Sequence, residues 1–270
     1  MEYRLIRLLL IAFVSTMAPS SAQAGDSVVI RGSHALYWTL TPHMDAINQA
    51  TGLDVDFAVA GGCGDGAKAT AAGHIGAICC PFDDLELATL GGGVMSPLAL
   101  EPLMIVVNLK NPVTDLTLAQ VRGLLSGQMT NWSQVGGPDK NVAVVLRPHC
   151  PHRPQHWKMI LPQNQWREKK ITVNSTVKMI DAVAAIPGAI GHLGTVLLDP
   201  QKMKPILIDG ISPLDPEALA KGYPFYRPLA LMTQGEPGEN EGKLITYLRS
   251  EAAKPFFLEQ HLIPSSKLTP

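Results

Sequence analysis

Residues 27–66, SVVIRGSHALYWTLTPHMDAINQATGLDVDFAVAGGCGDG, decide the predicted fold because strand and helix patterns alternate along them. Residues 28–30 are a short β-branched run, residues 36–50 carry apolar side chains at helical spacing, and residues 53–60 alternate as a strand does. A helix and a third strand follow over residues 64–79. This alternation predicts an α/β domain with a largely parallel sheet.

The rest of the chain continues the pattern. An apolar β run over residues 97–113 leads into a second set of helices and strands that begins near residue 116. Residues 223–233 form a further β run, and residues 241–261 have the spacing of a final helix. The 270 residues therefore suit one large domain or two modest ones, with enough chain for a hydrophobic core.

The first 24 residues have the features of a secretory signal peptide. Two arginines precede an apolar run over residues 8–14, and a small-residue cleavage signal ends at Ala24. The apolar run is too short to span a bilayer. We therefore expect export to the periplasm, cleavage after Ala24 and a soluble mature chain that starts at Gly25.

The charge of the chain is almost balanced. Lysine and arginine number 22 and aspartate and glutamate 23, so the formal net charge is −1. This balance argues against nucleic acid or an acidic membrane surface as a partner. We expect a monomer whose partner is a small molecule.

All four cysteines lie in glycine- or proline-rich segments: Cys63, Cys79, Cys80 and Cys150. In an exported chain, four cysteines usually form two disulfides. Cys79 and Cys80 are neighbours, and a bond between neighbours is strained, so both would pair with the other two cysteines. Ser33, Cys63 and Cys79 each follow a predicted strand, so their loops should converge on one cleft.

Several longer motifs resemble one known family. LTLAQVRGLLSGQMTNWSQVGG (116–137), VAVVLRP (142–148) and VAAIPGAIGHLG (183–194) are similar to segments of the phosphate-binding group of periplasmic solute-binding proteins. RGSHAL, GGCGDGAKA and HIGAICCPFDDLE fit the same group in the same order. The resemblance covers nearly the whole mature chain, and TNWSQVGG is its most specific part.

The resemblance implies a two-lobed type II periplasmic-binding fold. Each lobe would be a mixed, mainly parallel sheet flanked by helices, and two crossing hinge strands would join the lobes. Residues 25–105 and 228–270 would form lobe 1, and residues 106–227 would form lobe 2. A ligand would be clamped between the lobes by a hinge motion, without catalysis, and an ABC permease would be the usual partner.

The family holds an oxyanion with hydroxyl groups, helix N-termini, an acidic side chain and an arginine. Carried over loop by loop, these positions are Ser33, His34, Cys63, Cys79 or Cys80, Arg147, Cys150 and His152. Thiols thus stand where the family keeps ligand-contacting hydroxyls and its carboxylate. We expect His43, His74, His192 and His261 to have structural or solvated roles.

Thiols are poor donors to hard oxyanions, whereas thiolates bind soft metals and metalloids. The residues therefore favour a thiophilic ligand, Cu(I), Zn(II) or arsenite, bound by Cys63, Cys79, Cys150 and His34. The first alternative keeps the fold and binds phosphate or a similar oxyanion through Ser33, Arg147 and helix N-termini. Two further alternatives are a thiol oxidoreductase, which no CxxC motif supports, and a subunit that presents its ligand to a membrane sensor kinase.

Overall fold

The structure is a computed structural model, and it describes residues 26–59, 61–80, 82–89, 91–148, 159–163 and 165–265. The expected leader peptide lies outside these residues, as do Cys150 and His152. Among the residues described, no helix combines the length and the apolar character that crossing a bilayer requires.

The strands, in chain order, are β1 (Asp26–Gly32), β2 (Leu53–Val59), β3 (Ile75–Ile78), β4 (Gly93–Asn108), β5 (Asp115–Leu116), β6 (Ala143–Leu146), β7 (Ile171–Thr172), β8 (Ala189–Gly194), β9 (Met203–Pro205), β10 (Leu207–Ile208), β11 (Tyr226–Gln234) and β12 (Ile263–Pro264). The helices are α1 (His34–Leu40), α2 (Met44–Thr51), α3 (Cys63–Ala71), α4 (Asp84–Thr89), α5 (Leu118–Ser126), α6 (Thr176–Ala185), α7 (Glu239–Leu248) and α8 (Lys254–Leu258). Short 3₁₀ turns cover Thr41–His43, Trp132–Val135 and Thr195–Leu197.

One mixed sheet organises the molecule. Its strand order is β2-β1-β3-β11-β4-β8-β6-β7, and β9 and β12 also pair with β4. Strand β1 is parallel to β2 and β3, and β6 is parallel to β7 and β8. Strands β4 and β11 run antiparallel to their neighbours in the centre, so the two parallel units are joined through this pair.

Two of the predicted helices are interrupted. The helix expected over residues 36–50 is α1, a 3₁₀ turn and α2, because Pro42 has no backbone N–H to donate to the preceding turn. The helix expected over residues 241–261 is divided into α7 and α8 by a turn over residues 249–253. Pro255 is the second residue of α8, within the first turn, where a helix tolerates proline.

Three apolar clusters form the core of the part of the chain that the structure describes. The first packs β1, β2, β3 and part of β11 against α1, α2 and α7. The other two pack against β8 and the second half of β4, on opposite faces of the sheet. Strand β4 supplies Leu98 to the first cluster, Ile105 to the second and Val106 to the third. The lobe boundaries at residues 105/106 and 227/228 stay a prediction.

Candidate ligand site

A polar cavity of about 40 Å³ lies beside the central strand pair. Its polar lining comes from the central strand pair and from the second parallel unit with its helix: Glu101, Arg147, Thr176, His192 and Arg227. Glu101 and Arg227 belong to β4 and β11, whereas Arg147 directly follows β6 and His192 lies in β8. A cavity where these elements meet is positioned as an inter-lobe ligand site would be.

Glu101 and Arg227 form a buried ion pair in this wall. The two residues are directly opposite each other in the β4–β11 register, and Arg227 Nε donates to Glu101 Oε2 at 2.5 Å. Burial opposes the charge on Arg227, but the charge of the Glu101 carboxylate and its hydrogen bond outweigh this effect and raise the pKa of the guanidinium. Arg227 therefore stays charged and fixes the position of the carboxylate.

The backbone of β8 is shaped around this carboxylate. A Cβ atom at Gly194 would overlap Oε1 of Glu101, so glycine is required for the close approach. The N–H of Val196 donates to the same oxygen at 3.4 Å. Glu101 is 1% exposed, and these contacts together with Arg227 satisfy its charge.

A helix N-terminus faces the same cavity. Thr176, the first residue of α6, lines it, and the Ser175 hydroxyl caps the helix by accepting from the N–H of Lys178 at 3.2 Å. The positive end of the helix dipole and the Arg147 guanidinium therefore both lie at the cavity. The ring of His192 lies 5.6 Å, between centroids, from that of Trp166, which places Trp166 just behind the wall.

The three loops after β1, β2 and β3 meet as expected. The N–H of Ser33 donates to the carbonyl of Ala77 at 2.8 Å. Gly32 has a φ of 130°, and a Cβ atom there, or at Gly66, would collide with the same carbonyl. Glycine at both positions brings the start of α3 and the ends of β1 and β3 into direct contact.

Three cysteines cluster where these loops meet. The Sγ atoms of Cys63, Cys79 and Cys80 all lie within 4.8 Å of one another. The Cys63 Sγ is 2.9 Å from that of Cys79 and 3.3 Å from that of Cys80, both well beyond the about 2.05 Å of a disulfide bond. The N–H of Cys79 donates to the Cys63 Sγ at 3.0 Å.

The burial of these thiols differs from the expectation that they would sit in open loops at the cleft. Their exposures are 1%, 2% and 0% in chain order, and all three belong to the first apolar cluster. Strand β3 ends in the middle of the core, so the residues that follow it are still covered by α3. The described lining of the polar cavity includes none of the three.

The other predicted site residues are distributed as follows. Arg147 lines the cavity, as an anion clamp would. Ser33 is fully buried, and its hydroxyl caps α1 by accepting from the N–H of Leu36 at 3.5 Å. His34 is half-buried at the start of α1 and is not part of the thiol group. Their roles in binding stay predictions.

Four residues of the polar lining are not among the site residues predicted from the sequence. Glu101 has a visible signal, because it is the single carboxylate in the apolar run LALEPLMIVV, and a charged residue there needs a partner. Its partner Arg227 is identifiable only from the strand register. Thr176 follows the helix cap Ser175. His192, expected to be structural or solvated, lines the cavity, because the β8 side chains alternate between the two faces.

The sheet has two parallel units joined by the central strand pair, and a polar cavity lies beside that pair. This is the architecture of a two-lobed solute-binding protein. The chain belongs to the PBP superfamily: the family model described as "PBP superfamily domain" matches residues 18–256. This membership confirms the prediction that the chain is a binding protein rather than an enzyme.

Individual relatives agree with the family. The chain is 25% identical over 254 residues to the phosphate-binding protein PstS of Bacillus subtilis, covering 93% of this chain and 84% of that protein. An ABC-type phosphate transport receptor from Vibrio cholerae is 27% identical, with a TM-score of 0.67 over 88% of this chain and 100% of the other. A putative phosphate ABC transporter substrate-binding protein from Clostridium perfringens, solved with bound phosphate, is 22% identical, with a TM-score of 0.77 over 88% of this chain and 99% of the other. The predicted type II periplasmic-binding fold is confirmed.

Proposed function

We propose that this protein captures a small oxyanion, phosphate or a close analogue, in the polar cavity and delivers it to an ABC permease. The observation that carries the proposal is that Arg147 lines the same cavity as the Glu101–Arg227 pair. An arginine fork donates two parallel hydrogen bonds to a tetrahedral oxyanion. The relatives that are named as phosphate-binding proteins support the same ligand class.

The rest of the cavity suits an anion with a proton to share. Thr176 adds the N-terminus of α6, and helix N-termini favour anions. We assign Arg147 to the ligand because it lines the cavity directly after β6. Glu101 adds a hydrogen-bond acceptor to the wall, which suits a protonated oxyanion better than a fully ionised one, because a carboxylate can only accept hydrogen bonds.

A thiophilic ligand held in this cavity by cysteines has less support. The described lining contains no cysteine, and the curated relatives are named for phosphate. The thiol oxidoreductase alternative has no support from the family. Because the relative from Vibrio cholerae is a transport receptor, we propose a permease rather than a sensor kinase as the partner. Export to the periplasm, signal cleavage and the monomeric state remain part of the proposal.

The test is a calorimetric titration of the purified protein with inorganic phosphate, with arsenate and sulfate as competitors. We expect saturable binding of one phosphate per chain. Arg147→Ala should weaken it by at least the roughly 10-fold to 200-fold that a charge-assisted hydrogen bond of about 1.5–3 kcal/mol represents. Arg31→Ala is the matched control, because Arg31 pairs with Asp56 on the exposed face of β1.

Two results would overturn the proposal. One is a wild-type protein that binds none of the three oxyanions. The other is an Arg147→Ala variant that binds phosphate as tightly as the Arg31→Ala control does.

A further inference from the structure

The buried thiol cluster of Cys63, Cys79 and Cys80 has no part in the oxyanion site just described. It lies in the first apolar core. The three sulfur atoms lie within 4.8 Å of one another, which is close enough for all three to bind one ion. Soft ions select sulfur ligands of this kind.

We propose that these three cysteines bind one trivalent thiophilic metalloid ion, of which trivalent arsenic is the representative. The site would be independent of the oxyanion cavity. The cysteines come from two elements that the structure locks together, since Cys63 begins α3 and the other two follow β3. Glycines at positions 32 and 66 hold those elements in contact at Ala77, so the three sulfur atoms are already close before any ion binds.

The spacing of the sulfur atoms fits a single centre. A metal–thiolate bond of about 2.3 Å with tetrahedral angles would place two sulfur atoms roughly 3.8 Å apart. The observed separations of 2.9 and 3.3 Å from Cys63 Sγ are somewhat shorter, so the thiols need to move apart only slightly to surround an ion.

The charge balance selects a trivalent ion. Three thiolates with a 3+ centre form a neutral group, whereas Zn(II) would leave one negative charge and Cu(I) two. The group is buried to 2% exposure or less, and burial of net charge is costly. Arg227, the cation that interacts with Cys79 and Cys80, already neutralises Glu101 through their ion pair. A neutral complex therefore suits this position best.

The reaction is a ligand exchange that balances without an oxidant. Arsenous acid, As(OH)₃, enters with three As–O bonds and three thiols supply three S–H protons. Three As–S bonds form, and each departing hydroxide takes one proton and leaves as water. Arsenic stays trivalent and sulfur is neither oxidised nor reduced.

The test uses the reduced, folded protein under anaerobic conditions, titrated separately with arsenite, Zn(II) and Cu(I). Native mass spectrometry should show one arsenic atom bound with the loss of three protons per chain. Cys63→Ser and Cys79→Ser should each lose at least the roughly 10-fold to 100-fold in affinity that even supporting residues of metal sites contribute. Cys150→Ser is the matched control, because it removes the remaining cysteine, and it should bind arsenite as the wild type does.

Circular dichroism melting and a phosphate titration on the same samples establish that each variant is folded. The proposal is overturned if the reduced wild type binds no arsenite, if Cys63→Ser binds it unchanged, or if Cys150→Ser abolishes binding. Preferential retention of Zn(II) or Cu(I) over arsenite would also overturn it. Arsenite binding without phosphate binding would contradict only the proposed transport function. Phosphate binding without arsenite binding would contradict only the proposed metalloid site.

Discussion

Arg227 lies directly opposite Glu101 across the β4–β11 strand pair, and their charged groups are in contact inside the molecule. The same two residues line the polar cavity. This ion pair therefore has two structural roles. It links the two central strands of the sheet, and it forms part of the cavity wall.

Glu101→Ala should be strongly destabilising, because Arg227 would keep a buried charge without its carboxylate. We expect a loss of about 3–5 kcal/mol in the free energy of unfolding. Urea denaturation followed by circular dichroism measures it. The control is Asp56→Ala, which breaks the exposed Arg31–Asp56 pair and should cost about 0–1 kcal/mol. Equal losses in the two variants would contradict the structural role of the buried pair.

Gly194→Ala should weaken ligand binding by displacing a wall of the cavity. Its new methyl group would occupy the space of the Glu101 carboxylate, which would have to turn away from the N–H of Val196. Phosphate titration should show a lower affinity together with a lower melting temperature. Gly242→Ala is the control, because Gly242, like Gly194, has no positive φ but has open space around it. A Gly194→Ala protein that binds phosphate normally would show that the carboxylate position is unimportant.

Gly32→Ala should disrupt the meeting point of the three loops. Alanine at a φ of 130° is strained, and its Cβ atom would also collide with the carbonyl of Ala77. We expect destabilisation greater than the roughly 1 kcal/mol that a left-handed alanine costs in open space. Gly52→Ala, at a φ of 70° with no nearby atoms, provides that reference. Denaturant midpoints of the two variants compare them, and a smaller effect at position 32 would be evidence against the close packing.

Stability should fall at alkaline pH partly because of Tyr223. Burial raises the pKa of this phenol well above its usual range, and its hydroxyl donates to the carbonyl of Leu103 at 2.9 Å. In the unfolded chain the phenol ionises near its ordinary pKa of about 10. The folded state then holds a proton that the unfolded state releases, so the free energy of unfolding decreases as the pH rises above that value.

Melting temperatures measured from about pH 8 to about pH 11 test this effect, because that range brackets the ordinary phenol pKa of roughly 10. Tyr223→Phe should be less stable at pH 8 by about 1 kcal/mol, the net contribution of its hydrogen bond. Its melting temperature should then depend less steeply on pH than that of the wild type. Parallel curves for the two proteins would exclude Tyr223 as a source of the dependence.

The order of elements and the fold class follow from the sequence because each element has its own apolar period. The convergence of the loops after β1, β2 and β3 follows as well, since the carboxyl ends of parallel strands share an edge. Arg147 is identified from the motif VAVVLRP, and the structure places it at the cavity. These features depend on local sequence or on one topological rule.

The features that the sequence does not predict depend on the long-range register between strands. The pairing of Glu101 with Arg227 joins residues 126 positions apart, and no local pattern encodes it. The depth of Cys79 and Cys80 depends on where β3 ends relative to the covering helix. A shift of one or two residues there exchanges a cleft position for a core position. The break at Pro42 was readable from the sequence, but the apolar spacing on both sides of it favours one continuous helix.

Strand β4 has one more consequence for the behaviour of the whole protein. Its 16 residues contribute to all three apolar clusters, so neither parallel unit can open fully while the other remains intact around this strand. Its central amide hydrogens should exchange with deuterated solvent only when the entire chain unfolds. In denaturation, the two halves should therefore behave as a single cooperative unit.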